Sequence, residues 1–314
     1  MEAEAGCLPW QGDHWAMLDG LRLAGRLPHA LLLAGPGGTG KGRFADAFAG
    51  LLLCAAPGAI RCGKCRDCRL VSAGNHPDLA WLRPEESGKA IRVDQVRALR
   101  EFCTTRPHQG GWRVMVIEPA EALNANAANA LLKTLEEPGA ETLLLLVAHE
   151  PARLPATIRS RCRLLRFPVP DAAAGLVWLR GQLPAEVDAE ALLEIAGWRP
   201  LHALTLVDQA RSAQIFRVRQ LADGVAAGTL VPAAAAAEAA GLDRTLALEA
   251  FTALLAARIR GCVMAGGSPP LALFECLDAL TETRRELAAS PNLQAELLWN
   301  RLWLEWRRAL AGPS

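Results

Sequence analysis

Five strand-length runs, most of them nearly continuous in apolar residues, mark the first half of the chain: residues 29–34, 78–82, 113–117, 142–148 and 163–167. Runs of this kind suit strands whose two faces are both covered. Between them the apolar period lengthens to that of a helix. Residues 43–53 follow the first run in this way. Val96, Leu99 and Phe102 share one face of a helix opened by Asp94 as candidate N-cap, and residues 124–135 form an alanine-rich helix. Pro107 and the pair Gly110-Gly111 end the middle helix, and an opening helix carries Trp15, Leu18 and Leu21. Strands alternating with helices predict a parallel α/β sheet covered on both faces.

The pattern changes at Pro168-Val169-Pro170. A short helical region covers residues 171–209, broken at Gly197-Trp198-Arg199-Pro200, and the remainder is helical almost throughout. Its alanine run at 233–237 needs no special function, because alanine is the best helix former. In the last helix Trp299, Leu302, Trp303, Trp306 and Leu310 share a face, which predicts core or a subunit interface.

Length and charge narrow the picture. The chain has 314 residues, room for two or three domains, and a formal net charge of +1 gives no strongly basic surface for nucleic acid. No segment is apolar for long enough to span a membrane, and the acidic start Met1-Glu2-Ala3-Glu4-Ala5 lacks the regions of a secretory signal. A cytoplasmic protein is expected. In that compartment its nine cysteines are thiols or metal ligands rather than disulfides.

The first strand leads into Gly35-Pro36-Gly37-Gly38-Thr39-Gly40-Lys41-Gly42, and a helix follows. Strand, glycine turn, lysine and helix give the context of a phosphate-binding loop. Gly35, Gly37, Gly38 and Gly40 let backbone N–H groups converge on phosphate oxygens, and Lys41 reaches the outer phosphates. The pattern asks next for Ser or Thr to hold magnesium, and this chain has Gly42. The third strand closes on Glu118, placed as a Walker B carboxylate. Pro119 then stands where a hydrolysing enzyme would put the group that polarises water, and proline cannot do so.

Cys54, Cys62, Cys65 and Cys68 are close enough in sequence to surround one zinc ion tetrahedrally. An iron–sulfur run would need a cysteine at position 72, which is Ser72, so structural zinc is expected. His76 reads as a surface or turn residue, and Cys7, Cys103, Cys162, Cys262 and Cys276 read as small buried hydrophobes. Trp10 reads as a core anchor of the N-terminal arm, with stacking near a nucleotide base as the alternative. Glu136 and Glu137, consecutive at a helix end, diverge and read as solvated or partner-facing rather than catalytic.

The phosphate loop, the cysteine insert after its helix, the stretch Leu131-Leu132-Lys133-Thr134-Leu135-Glu136-Glu137-Pro138 and Ser160-Arg161-Cys162 together resemble the clamp-loader branch of the AAA+ ATPases. In bacteria that branch comprises the gamma/tau and delta-prime subunits of DNA polymerase III. The resemblance implies a RecA-like domain (1–168) with a zinc module (54–68), a small helical lid (169–209) and a helical collar (210–314) that closes a five-membered ring. It also implies partners: gamma/tau and delta subunits, the sliding clamp and primer-template DNA. The motor subunits keep the hydroxyl residue after the loop lysine, an acidic pair ending Walker B, a threonine first sensor and an arginine second sensor. This chain has Gly42, Pro119 and Ala148-His149, with Leu201 at the second sensor and Arg199 nearby. Ser160-Arg161-Cys162 is intact, and the resemblance implies that Arg161 acts as an arginine finger on a neighbour's ATP.

The expectation is therefore a delta-prime-type subunit that binds ATP doubtfully, does not hydrolyse it, and belongs to the polymerase holoenzyme without being catalytic alone. The alternatives are an active gamma-type ATPase and a zinc-dependent DNA-binding protein with a vestigial nucleotide fold.

Overall fold

A computed structural model describes residues 7–86, 88–104, 107, 111–183, 187–207, 209–264, 266–289 and 295–310. Two compact units divide the chain, Met1–Ala174 and Gly175–Ser314.

The first unit is built on a five-stranded parallel sheet of β1 (Ala30–Ala34), β2 (Leu79–Leu82), β3 (Arg113–Ile117), β4 (Thr142–Ala148) and β5 (Arg163–Arg166), in the order β2-β3-β4-β1-β5. Its helices are α1 (Gly12–Leu23), α2 (Lys41–Leu53), α3 (Arg66–Ser72), α4 (Val93–Thr104), α5 (Ala125–Glu136) and α6 (Ala156–Arg159). Successive side chains of a strand point to opposite faces, and the core divides accordingly. Leu31, Leu33, Val114, Val116, Leu143 and Leu145 pack with Leu18 of α1 and Phe44 and Phe48 of α2. Leu32, Met115, Leu144 and Leu146 pack on the other face with Val96 of α4, Leu131 and Leu135 of α5, and Ile158 of α6. This two-sided burial is why the strands read as continuous apolar runs.

Local signals fix several boundaries. Asn124 caps α5, its Oδ1 accepting the Ala127 N–H at 2.8 Å. Asp94 does not cap α4: it lies inside the first turn and is exposed, while Gln95 Oε1 accepts the Arg92 N–H at 2.9 Å just before the helix. The third strand opens on a buried ion pair, Arg113 Nη2 to Asp78 Oδ1 at 3.0 Å, with the Arg113 guanidinium 4.6 Å above the Phe102 ring. Asp78 also accepts the Val114 N–H through its carbonyl, so the pair pins the entrances of β2 and β3 together.

The second unit is helical. Most of α7 (Ala172–Arg180) lies in it, followed by α8 (Ala189–Ile195), α9 (Pro200–Thr205), α10 (Gln209–Ala226), α11 (Pro232–Ala239), α12 (Arg244–Met264), α13 (Leu271–Ala289) and α14 (Ala295–Leu310). The tryptophan stripe of α14 is core. Trp299, Leu302, Trp303 and Trp306 are buried, Phe251 of α12 meets Trp303 edge-on at 5.0 Å, and the Trp306 indole donates to the Ala222 carbonyl at 3.0 Å. The alanine run forms α11, and Ala235, Ala236 and Ala239 are buried in the same core. Leu192 and Leu206 belong to that core too, so residues on both sides of position 209 share it. Among the described residues no helix is long and apolar enough to cross a membrane.

Candidate functional site

The loop between β1 and α2 has the shape that its glycines allow. Gly38 and Gly40 sit at φ of 79° and 89°, backbone that side chains disfavour. At Gly35 a Cβ would lie 2.0 Å from the Phe167 carbonyl oxygen, so the close approach of β5's exit requires glycine there. Lys41 is 2% exposed, and its Nζ donates to the Gly35 and Pro36 carbonyls, each at 2.6 Å. The group that would reach the outer phosphates thus lies along the loop's own backbone. From the N-terminal arm, Trp10 Nε1 and Gln11 Nε2 both donate to the Thr39 carbonyl, at 3.0 and 3.1 Å. Trp10 thus ties the arm to the loop rather than serving as a plain core residue.

At the position after the lysine, a neighbouring carboxylate fills the space in which a side chain would begin. A Cβ on Gly42 would lie 2.3 Å from Glu118 Oε1 and 3.0 Å from Oε2. The carboxylate of Glu118 lies in the space a serine or threonine would use. Arg83 holds it there, Nη2 to Glu118 Oε2 at 3.0 Å, and the Arg83 guanidinium is itself stacked 4.1 Å over the Trp81 ring. Arg83 carries no local sequence signal: it follows β2, 35 residues before Glu118, and only the pairing of β2 with β3 brings the two together. At the first-sensor position, His149 lies beside the loop, its Cγ 3.9 Å from where a Gly37 Cβ would be. Burial, followed by the Lys41 charge, lowers the His149 pKa, so a neutral imidazole stands there. Glu121 Oε1 accepts the His149 and Glu150 backbone N–H groups at 2.9 and 3.0 Å and fixes this turn.

The cysteine expectation meets a matching geometry. The Sγ atoms of Cys54, Cys62, Cys65 and Cys68 all lie within 4.8 Å of one another. The Cys54–Cys65 and Cys62–Cys68 separations are 4.0 and 3.9 Å. A tetrahedron of Zn–S bonds near 2.3 Å has edges of about 3.8 Å, so the cluster fits a zinc ion. Backbone N–H groups point at the sulfurs: those of Cys62, Cys65 and Cys68 donate to Cys54, Cys62 and Cys65, respectively, at 3.3 to 3.4 Å. N–H groups of Lys64 and Cys65 draw the Cys62 thiol down to about 6, whereas burial pushes the Cys68 thiol up to about 12. The Cys65 sulfur also caps α3, a helix absent from the sequence reading.

His76 is not a surface residue: it is 4% exposed, its Nδ1 accepts the Asp78 N–H at 3.0 Å, and its Nε2 stands 3.6 Å from Asp67 Oδ1. It braces α3 from outside the cysteine cluster. Of the scattered cysteines only Cys276 is fully buried; Cys7, Cys162 and Cys262 are partly buried, and the Cys103 side chain lies outside the described residues. Burial raises the Cys162 and Cys276 thiols to about 12.

Arg161 lies at the turn between α6 and β5, 37% exposed. Its Nε and Nη2 reach Glu136 Oε1 at 3.0 and 2.6 Å, and its Nη1 donates to the Thr157 carbonyl at 3.0 Å. Glu136 is thus half of an ion pair rather than simply solvated, a partnership across 25 residues that its helix-end position did not signal. Ser160 Oγ donates to the Thr157 carbonyl at 3.1 Å, and Cys162 packs against the core beneath α5. In the helical unit, Arg199 Nε donates to the Ala196 carbonyl at 2.8 Å, and burial lowers its pKa.

Comparison with known proteins follows this geometry. Residues 10–171 match the family model described as DNA polymerase III, delta subunit. A DNA polymerase III subunit delta' from Pseudomonas aeruginosa is 49% identical over 209 residues, 65% of this chain and 62% of that protein. The tau subunit from Bacillus subtilis is 34% identical over 208 residues, 62% of this chain and 35% of its own. The match thus spans about three fifths of the length of the delta' relative. A solved gamma subunit-related protein from Thermotoga maritima superposes on 93% of this chain and 99% of its own length, with a TM-score of 0.47 and 16% identity.

Proposed function

Because the chain belongs to the family described as the DNA polymerase III delta subunit, we propose that it serves in DNA replication as a non-hydrolysing, delta-prime-type subunit of the clamp loader. In this reading it stands in a five-membered ring with gamma/tau and delta subunits in the cytoplasm. It helps place the sliding clamp on primer-template DNA, and it lends Arg161 to the ATP site of a neighbouring subunit. Residues 169–209 would act as lid and 210–314 as collar. A zinc ion on Cys54, Cys62, Cys65 and Cys68 would be structural, since four protein ligands leave no coordination position open for chemistry.

The carrying observation is the Glu118 carboxylate, 2.3 Å from where a side chain on residue 42 would begin and paired with Arg83. Phosphoryl transfer rests on positioned charge. A loop whose magnesium ligand is absent and whose Walker B carboxylate answers to an arginine lacks the parts that position it. Arg161, by contrast, keeps an exposed face. The test has two halves: ATP turnover by the isolated chain with magnesium present, and clamp loading by the full ring containing Arg161→Ala. No turnover by the isolated chain, together with impaired loading by the variant ring, is the expected pair. Steady hydrolysis abolished by Lys41→Ala would instead make the chain a gamma-type motor.

A further inference from the structure

Arginine offers five N–H donors around a rigid plane. In Arg161 three directions are already spent, all on this chain: Nε and one Nη2 hydrogen on Glu136, one Nη1 hydrogen on the Thr157 carbonyl. Among the described residues one hydrogen on each terminal nitrogen has no partner, enough to meet two oxygens of a phosphate or carboxylate. The two groups holding the arginine are themselves anchored. Leu135, the residue before Glu136, is 2% exposed in the core, and Ile158, the residue after Thr157, is fully buried. The arginine is held between two seated helix ends and is 37% exposed.

We propose that Glu136 is a positioning residue for Arg161: it fixes the guanidinium plane so that the free terminal edge is presented to the terminal phosphate of a nucleotide bound by the adjoining subunit. The inference rests on the finger role proposed above. An exposed ion pair contributes little to stability, so the value of this pair lies in geometry. A long side chain already held in its working rotamer loses less freedom when the phosphate arrives, and that gain appears in the chemical step rather than in nucleotide binding.

The experiment uses the assembled ring with ATP as the probe and compares Glu136→Ala, Arg161→Ala, the double variant and Glu136→Gln in steady-state turnover. Glu136→Ala should lower kcat roughly tenfold while leaving KM for ATP near its original value. The double variant should be no slower than Arg161→Ala alone, because the two residues act as one unit. Glu136→Gln, which keeps an acceptor for the guanidinium, should recover most of the rate. Unchanged kcat in Glu136→Ala, a rise in KM alone, or a double variant slower than Arg161→Ala by the full Glu136 factor would each overturn the proposal. If Arg161→Ala itself turns over normally, the finger reading fails first and takes this inference with it. If Arg161→Ala is slow and Glu136→Ala is not, only the positioning role falls.

Discussion

At Gly42 the absence of a side chain is matched by the presence of another. Glu118 occupies the space, and its contact is the far end of a flexible chain rather than backbone. Gly42→Ser should therefore fold with stability within about 1 kcal/mol of the original by urea unfolding, the carboxylate simply turning aside. The same variant should gain no ATP hydrolysis, because Pro119 still supplies no group to orient water. Gly35 is the opposite case. There the collision is with the Phe167 backbone oxygen at 2.0 Å, which cannot turn aside. Gly35→Ala should cost about 3 kcal/mol in the same measurement. Glycine and proline at positions 42 and 119 were visible in the sequence as departures from a pattern. The Arg83–Glu118 and Arg161–Glu136 pairs were not, since each joins residues brought close only by strand order or helix packing.

Among elements, the strands were the most legible. Residues 113–117 and 142–148 emerged with the expected ends, because a strand covered on both faces leaves an unbroken apolar run bounded by polar residues. The seven-residue α3 was missed for a physical reason: its N-cap is the sulfur of Cys65, a group outside the usual capping set, and much of its ordering comes from the cysteine cluster. The module should behave as a separable brace. For the zinc-loaded chain, chelation is expected to lower the thermal midpoint by several degrees while far-UV circular dichroism of the α/β core persists below it. Complete unfolding on chelation would mean that the sheet depends on the metal. The entrances of β2 and β3 carry a different kind of brace. Asp78→Ala would take its carboxylate partner from the buried Arg113 guanidinium, which keeps its bond to the Phe102 carbonyl. A loss of about 3–5 kcal/mol is expected by chemical unfolding.

At the level of the whole chain, the change of apolar pattern near residue 170, from strand–helix alternation to helix alone, was readable; the structure divides into two units between Ala174 and Gly175. The interior of the helical unit was less so. Alanines at 235, 236 and 239 gave no sign in sequence of the helix they would face, yet they lie in the same core as Trp299, Trp303 and Trp306 of α14, whose bulk fits against their smallness. Phe251→Ala, which removes the ring that three of these tryptophans meet edge-on, should destabilise this unit by about 3–5 kcal/mol. Scanning calorimetry that resolves the two units would place the loss in the helical one.

The carboxylate lodged against Gly42 also bears on how such a loop can change over generations. Restoring the hydroxyl alone drives Glu118 off Arg83 without supplying a water-orienting group. Replacing Pro119 alone leaves the carboxylate lodged against residue 42, and removing Arg83 alone supplies neither the hydroxyl nor a water-orienting group. Regaining hydrolysis along that path therefore takes several substitutions together rather than one.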